Sequence, residues 1–366
     1  MKKIVILTNS LSGLYCFRKE LIVALDAYDF EIVISTPVDF DKSFFEKFNC
    51  VIRAVKLDRK GKNPLKEVNL ILNYTRLLKK ERPDVVLTYT IKPNLYGGIS
   101  CNICGVPHIA NITGLGTAVE NPGILQKLSV LLYRIGLSKT QLVYFQNRAN
   151  MDFCLSRNLV KKRYVLIPGS GVNLDFHKFQ DYPAENQMRF VFIGRLIRQK
   201  GIEEYFEAAR IIKMKYPNTE FHVVGYCEGQ YQKQLEMLQK EGIICYHGVV
   251  EDIRPIIGIT HCTVHPSFYP EGMSNVLLES CAAGRPVITT DRAGCGEIVE
   301  DGITGYIVNK QDVPDLVEKL ETFINLPYEK KMEMGKAGRL KVEKEFDRNI
   351  VVNSYLNEIC NMTNRM

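Results

Sequence analysis

Residues 265–286 read HPSFYPEGMSNVLLESCAAGRP, and how this stretch folds decides the architecture of the chain. The residues just before it, 262–265, predict the end of a short strand. A loop with Pro and Gly follows and opens into an apolar helix over 274–283. A glycine ahead of a helix N-terminus leaves backbone N–H groups without intrahelical partners, and the positive end of the helix dipole falls beside them. That is a cradle for phosphate. Glu271 stands in the loop and Glu279 eight residues later in the helix. Carboxylates would repel a phosphate, so they suit the site if they face hydroxyls, as on a sugar and a ribose. A plain strand–loop–helix turn with two solvated glutamates is the alternative.

Outward from this stretch, the chain alternates short strands and helices. Strands are predicted at 3–9, 30–35, 50–55, 85–89, 108–112, 142–145 and 164–167. Helices fall near 16–27, 65–80, 95–104, 124–135 and 147–157. Segment 168–183, PGSGVNLDFHKFQDYP, breaks the pattern with Gly, Pro and polar residues. The alternation then restarts with strands at 188–193, 220–225, 244–246, 262–265, 286–290 and 306–308. Its helices are expected at 201–215, 230–240, 253–259, 274–283 and 313–326, with one more at 349–360. The fold class expected is α/β, two Rossmann-like doubly wound domains facing a cleft, with ligands at the strand carboxyl ends. The domains expected are 1–180 and 181–345, then a helix within 346–366, with its return onto the first domain as one arrangement.

Composition narrows the function. At 366 residues the chain exceeds one comfortable core. No apolar run reaches the ~18–20 residues that span a bilayer. The opening MKKIVILTNS has too short an apolar run, and no small-residue cleavage pattern, for a signal peptide. It reads as the first buried strand of a cytoplasmic protein. Eleven cysteines, an odd number, then predict reduced thiols rather than a disulfide framework. Cys101 and Cys104 form a single CxxC, and the six histidines show no ligand spacing, so no metal or other cofactor is expected. Residues 1–180 hold 26 of the 48 Lys and Arg but 14 of the 41 Asp and Glu, a formal balance of +12 against −5 in the remainder. A basic first half suggests an anionic partner: a phospholipid surface, a pyrophosphate-bearing acceptor or nucleic acid.

A second motif, Gly194-Arg195-Leu-Ile-Arg198-Gln-Lys200-Gly201, lies between a predicted strand and a predicted helix. Arg195 and Lys200 sit at a strand's carboxyl end, where a guanidinium fork and an ammonium point charge neutralise a diphosphate without metal. GRxxxxKG followed about seventy residues later by EGxxxxxxE, in a chain of two α/β units, resembles the retaining family 4 glycosyltransferases of GT-B fold. His265, the Ser274-Asn275-Val276 run, Gly284, Pro286, Gly302 and Gly305 stand where that family's motif puts them, as do Gly171-Val172-Asn173 and Phe179. The resemblance covers nearly the whole chain.

The resemblance implies residue roles. Arg195 and Lys200 hold the donor's diphosphate and stabilise the departing nucleotide. Glu271 touches hydroxyls of the donor sugar, and Glu279 binds the ribose. Gly194, Gly272, Met273, Ser274 and Asn275 complete the donor site, the last four through backbone N–H groups. It also implies same-face attack, with the leaving phosphate taking the acceptor's proton. Glu271 is then a positioning group rather than a covalent nucleophile.

The first domain departs from the family pattern. Where many members carry a His, this chain reads Thr88-Tyr89-Thr90-Ile91-Lys92-Pro93-Asn94. Thr90, Lys92 and Asn94 are therefore the candidates for contacts to sugar or phosphate, with a structural Pro turn as the alternative. Loops 10–13 and 111–116 also end strands, which adds Gly13, Thr113 and Gly114. The K-P-N and G-L-G segments resemble a subset that builds bacterial surface glycans on lipid carriers. That subset includes N-acetylgalactosaminyltransferases acting on undecaprenyl-diphosphate-linked sugars. The expectation is a metal-independent, retaining transferase that takes a hexose or N-acetylhexosamine from a UDP-sugar to a lipid-linked saccharide. Its partners are then nucleotide sugar, lipid-linked acceptor and anionic membrane surface, and not nucleic acid. It would associate peripherally with the inner face of the cytoplasmic membrane. Segment 124–135, ILQKLSVLLYRI, suits a membrane interface or a helix packed on the sheet. A UDP-sugar epimerase of the same architecture is the second reading, and a non-catalytic nucleotide-sugar sensor a third.

Overall fold

The computed structural model describes residues 1–58, 61, 63–116, 119 and 122–364. The chain divides into two units, Met1–Ser170 with Asn349–Met366, and Gly171–Arg348.

The first unit runs β1 (Lys2–Leu7), α1 (Leu11–Ala27), β2 (Phe30–Thr36), β3 (Cys50–Ala54), α2 (Pro64–Glu81) and β4 (Val85–Tyr89). A π-helical turn, Pro93–Gly97, leads into α3 (Gly98–Cys104). β5 (His108–Ile112), α4 (Ile124–Gly136), β6 (Leu142–Phe145), α5 (Arg148–Ser156) and β7 (Arg163–Leu166) follow. All seven strands are parallel, in the order β3-β2-β1-β4-β5-β6-β7. Every residue of β4, β5 and β6 is buried, as the covered faces of a parallel sheet require.

Helix α1 starts five residues before its expected position. Ser10 caps it, its Oγ accepting from Gly13 N at 3.0 Å, and Asp39 Oδ1 accepts from Leu11 N at 2.8 Å. Helix α4 packs Tyr133 and Gly136 inward but leaves Ile124, Leu125, Leu128, Leu131 and Ile135 between 45% and 85% exposed. Helix α12 (Arg348–Thr363) lends Val351, Val352, Tyr355, Leu356 and Ile359 to the core that holds Leu21, Leu25, Tyr89 and Tyr144. The Tyr355 hydroxyl accepts from Asn111 Nδ2 at 2.6 Å, and its ring lies 4.5 Å from that of Tyr144.

The second unit contains β8 (Met188–Ile193), α6 (Ile202–Lys215), β9 (Thr219–Val224), α7 (Gln232–Lys240), β10 (Cys245–Tyr246) and α8 (Arg254–Ile259). It continues through β11 (Cys262–His265), α9 (Asn275–Ala282), β12 (Val287–Thr290), β13 (Gly305–Val308), α10 (Val313–Asn325) and α11 (Tyr328–Glu345). Its six strands are again parallel, ordered β10-β9-β8-β11-β12-β13. Phe190, Phe192, Tyr205, Phe206, Phe221 and Phe323 form the heart of its core. The direction of winding changes between β1 and β4 in one sheet and between β8 and β11 in the other, the crevices where such sheets take ligands.

Two features differ from the sequence expectation. Helix α11 had no predicted counterpart, because its charged sequence buries little beyond Met334, Gly335, Gly338 and Val342. The division between units falls at Gly171 rather than at 181. Segment 171–181 is bound into the second unit: Val172 N donates to Phe346 O at 2.9 Å, and Arg348 N donates to Val172 O at 3.0 Å. The fully buried Arg285 donates to the carbonyls of Gln180, Asp181, Ile257 and Gly258 at 2.7–3.1 Å. A guanidinium without such partners would be very costly to bury, so the segment and Arg285 fix each other.

Candidate active site

In the second unit, the loops that follow β8 and β11 bring the two sequence motifs together. After β8 the chain passes Gly194 and Arg195 into a 3₁₀ turn, Arg198–Lys200, and then Gly201, which precedes α6. Gly201 has φ 78°, and a Cβ there would lie 2.2 Å from Pro266 O. Only glycine lets this turn lie against the loop after β11. Phe268 N donates to Gln199 O at 2.9 Å, tying the two loops a second time.

This contact places Lys200 Nζ in an ion pair with Glu271 Oε1. Both side chains are mostly buried, at 13% and 16% exposure. Tyr269 lies between the cations: Arg195 Cζ and Lys200 Nζ are each 5.4 Å from its ring centroid. Arg195 itself is exposed. The loop is held from behind, where Thr290 Oγ1 donates to Ser267 O at 2.5 Å and Thr289 Oγ1 to His265 O at 2.7 Å. Gly294 N donates to Glu297 Oε2 at 2.6 Å, and Gly294 O accepts from Ser274 N at 2.7 Å.

Ser274 is the N-cap of α9 and Asn275 its first residue, so Gly272, Met273, Ser274 and Asn275 lead into that helix end. Gly272, Met273 and Ser274 are buried. Ser274 N, one of the four expected backbone donors, is already bonded to Gly294 O and is therefore spent within the protein. His265 is fully buried at the end of β11, stacked on Phe192, and neither ring nitrogen has a hydrogen-bond partner. Burial, with Lys200 nearby, pushes its pKa well below the ordinary imidazole value, so the ring is neutral.

Glu279 lies one turn into α9. Burial pushes its carboxyl up to about 7, against the opposing pull of Arg348. His177 Nε2 stands 3.8 Å from Glu279 Oε1. Sequence reasoning missed His177, Tyr269, Glu297 and Arg348. His177 falls in the interrupted segment 168–183, and the others carry no spacing signal relative to the motifs.

In the first unit, the residues expected at the strand ends divide into held and open positions. Lys92 is committed: its Nζ pairs with Glu67 Oε1 at 2.5 Å and donates to Gly61 O at 2.8 Å. Asn94 is buried, accepting from Thr88 Oγ1 and donating to Asn111 O, both at 2.7 Å. Gly13 lies in the first turn of α1 rather than in a loop. Thr113 and Gly114 stand half-buried just after β5. Thr90, directly after β4, has φ 71° and a buried hydroxyl without a hydrogen-bond partner. A β-branched residue rarely adopts that conformation.

Spacing along the chain showed no metal ligands. The fold nevertheless brings His222, Cys245 and His247 together at the β9–β10 edge of the second sheet.

Two family profiles match the chain. The profile of "Glycosyl transferases group 1" matches residues 175–341, and that of "Glycosyl transferase 4-like" matches residues 3–147. The chain is 24% identical to a Campylobacter jejuni N,N'-diacetylbacillosaminyl-diphospho-undecaprenol alpha-1,3-N-acetylgalactosaminyltransferase, with 96% of each chain covered. It is 27% identical to an Escherichia coli UDP-Gal:alpha-D-GlcNAc-diphosphoundecaprenol alpha-1,3-galactosyltransferase, with 70% of each covered. Among solved structures, a Rickettsia africae glycosyltransferase superposes with a TM-score of 0.81 at 18% identity, covering 100% of this chain and 99% of that one. Anabaena HepE, in complex with UDP-glucose, gives 0.78 at 18% identity, covering 99% and 100%. The two sequence relatives are transferases, and neither favours an epimerase.

Proposed function

We propose a reaction for a chain that belongs to the group 1 glycosyltransferases of GT-B fold: transfer of a hexose or N-acetylhexosamine from a UDP-sugar to a saccharide on undecaprenyl diphosphate, with the anomeric configuration retained. The bond from the sugar's anomeric carbon to the β-phosphate breaks, and the electron pair leaves with UDP. The acceptor hydroxyl forms the new bond on the same face and passes its proton to the departing phosphate oxygen. Departure of a diphosphate demands positive charge at its oxygens. Arg195, Lys200 and the backbone donors of Met273 and Asn275 would supply it without a metal ion. Glu271 would hold hydroxyls of the donor sugar and Glu279 those of the ribose.

The observation that carries this reading is the meeting of Lys200, Arg195 and Glu271 on two loops at the winding switch of one sheet. A lipid-linked acceptor is supported by the named relatives, both of which act on undecaprenyl-diphosphate-linked sugars. The first unit would take the lipid-linked acceptor, with Thr90 at the β4 end as a contact, at the inner face of the cytoplasmic membrane. Two observations support that location: the exposed aliphatic stripe of α4 and the basic balance of residues 1–180. No helix among the described residues is long and apolar enough to cross a bilayer.

The test is to incubate the chain with a panel of nucleotide sugars and undecaprenyl-diphosphate-linked saccharides. Released nucleotide is measured, and the new linkage is read by NMR. UDP release coupled to an α-linked product from an α-linked donor is expected. An inverted linkage, or nucleotide release without acceptor, overturns the reading.

A further inference from the structure

The β9–β10 edge of the second sheet carries a group of side chains that the transferase reaction does not use. The parallel register sets Cys245 of β10 directly opposite His222 of β9. Side chains alternate along a strand, so His247, two residues after Cys245, returns to the same face. His222 Nδ1 and His247 Nε2 are 2.9 Å apart, their rings nearly parallel, and they share one proton. With the Cys245 thiol, these potential ligand atoms all lie within 4.8 Å of one another.

We infer that His222 Nδ1, His247 Nε2 and Cys245 Sγ form a binding site for Zn²⁺. Zinc bonds to imidazole at about 2.0–2.1 Å and to thiolate at about 2.3 Å in tetrahedral geometry, which puts ligand atoms roughly 3.3–3.7 Å apart. The two nitrogens need to part slightly, and the widest of the three separations, at most 4.8 Å, needs to close by up to about an ångström. Cys245 is exposed on an edge strand, so its side chain borders solvent. A mixed nitrogen and sulfur set suits a borderline divalent ion such as zinc rather than magnesium or calcium.

The surroundings also match a metal site. His222 Nε2 faces Glu220 Oε2 at 3.4 Å, and Arg189 Nε donates to that same oxygen at 2.9 Å. That far nitrogen has no hydrogen-bond partner as it stands; a small ring rotation on metal binding would bring it to the Glu220 carboxylate, which would fix the tautomer that offers Nδ1 to the metal. On binding, the proton between the imidazoles moves to His247 Nδ1, and the thiol proton is released to solvent. The fourth position is left to water. The ion would pin β10, two residues long, to β9.

The experiment titrates the purified full chain with Co²⁺, whose thiolate charge-transfer and visible d–d bands report tetrahedral sulfur ligation, and then displaces it with Zn²⁺. One equivalent per chain is expected, with Zn²⁺ raising the melting temperature. Cys245→Ser should abolish the charge-transfer band, and His247→Gln should weaken binding at least ten-fold. Circular dichroism and melting of both metal-free variants, compared with the parent chain, show that they fold. Absence of saturable binding, or bands that survive both substitutions through one of the other ten cysteines, overturns the inference.

Discussion

Lys200 is ion-paired with Glu271, so the ammonium assigned to the donor's diphosphate is held by the carboxylate assigned to the donor's sugar. Donor binding must trade this contact for two new ones. Lys200→Ala should lower turnover by about 10²–10³-fold, the usual loss when one preorganised donor to a developing anion is removed. Glu271→Gln should also lower turnover, yet leave the affinity for UDP alone unchanged or higher, because Lys200 is released. The double variant should lose less than the two single losses combined, since the residues share one contact. Calorimetry with UDP and steady-state rates with the full donor check all three.

Glu279 gives a pH signature. Its folded carboxyl titrates at about 7, above the ordinary value of 4.5. The fold therefore binds this proton more tightly than the unfolded chain. The resulting stability is fully present below the unfolded value and is lost as pH rises through about 7. Glu279→Gln, neutral at every pH, should be more stable than the parent at pH 8, by on the order of 1–3 kcal/mol, and equal to it near pH 4. The same variant should bind UDP more weakly at pH 8, where the parent offers a carboxylate to the ribose. Denaturant melts at the two pH values decide the first point, and calorimetry the second.

Thr90 stores backbone strain beside the proposed acceptor site. Thr90→Gly relieves a left-handed conformation and removes an unpartnered hydroxyl. Stability should rise by about 1 kcal/mol. If that hydroxyl meets the acceptor, kcat/KM for the lipid-linked saccharide falls while the affinity for UDP is unchanged. Equal acceptor kinetics would remove Thr90 from the site.

Helix α4 exposes its aliphatic stripe, so charging it costs the fold little. Leu128→Glu with Leu131→Glu should leave the melting temperature within a degree or two and abolish retention on anionic vesicles. The parent chain should bind such vesicles at low salt, release at high salt and bind neutral vesicles less. Binding unchanged by the double substitution assigns membrane contact to another surface.

The sequence was most legible where a strand feeds a loop and then a helix. GRxxxxKG and EGxxxxxxE predicted Arg195, Lys200 and Glu271 at strand ends, and the loops after β8 and β11 bring the three together. Residues defined by tertiary contact were not legible. Lys92 reads as a free cation, but Glu67, twenty-five positions earlier, claims it. His177 reads as part of a linker, yet it stands against Glu279. Helix α11 hid because its YEKKMEMGKAGRLKVEKE sequence packs partly through glycines, which carry no apolar period. The His222–Cys245 pairing exists only through strand register, and no spacing along one strand encodes it.

The return of α12 to the first unit sets an order on synthesis. Residues Gly171–Arg348 are contiguous and can close their core as soon as they leave the ribosome. The seven-stranded unit begins earlier but lacks Val351, Val352, Tyr355, Leu356 and Ile359 until the chain has passed its other half. Its nascent sheet must therefore wait with an uncovered apolar face while the second unit folds first. The half that would meet the membrane lipid is then the last to mature.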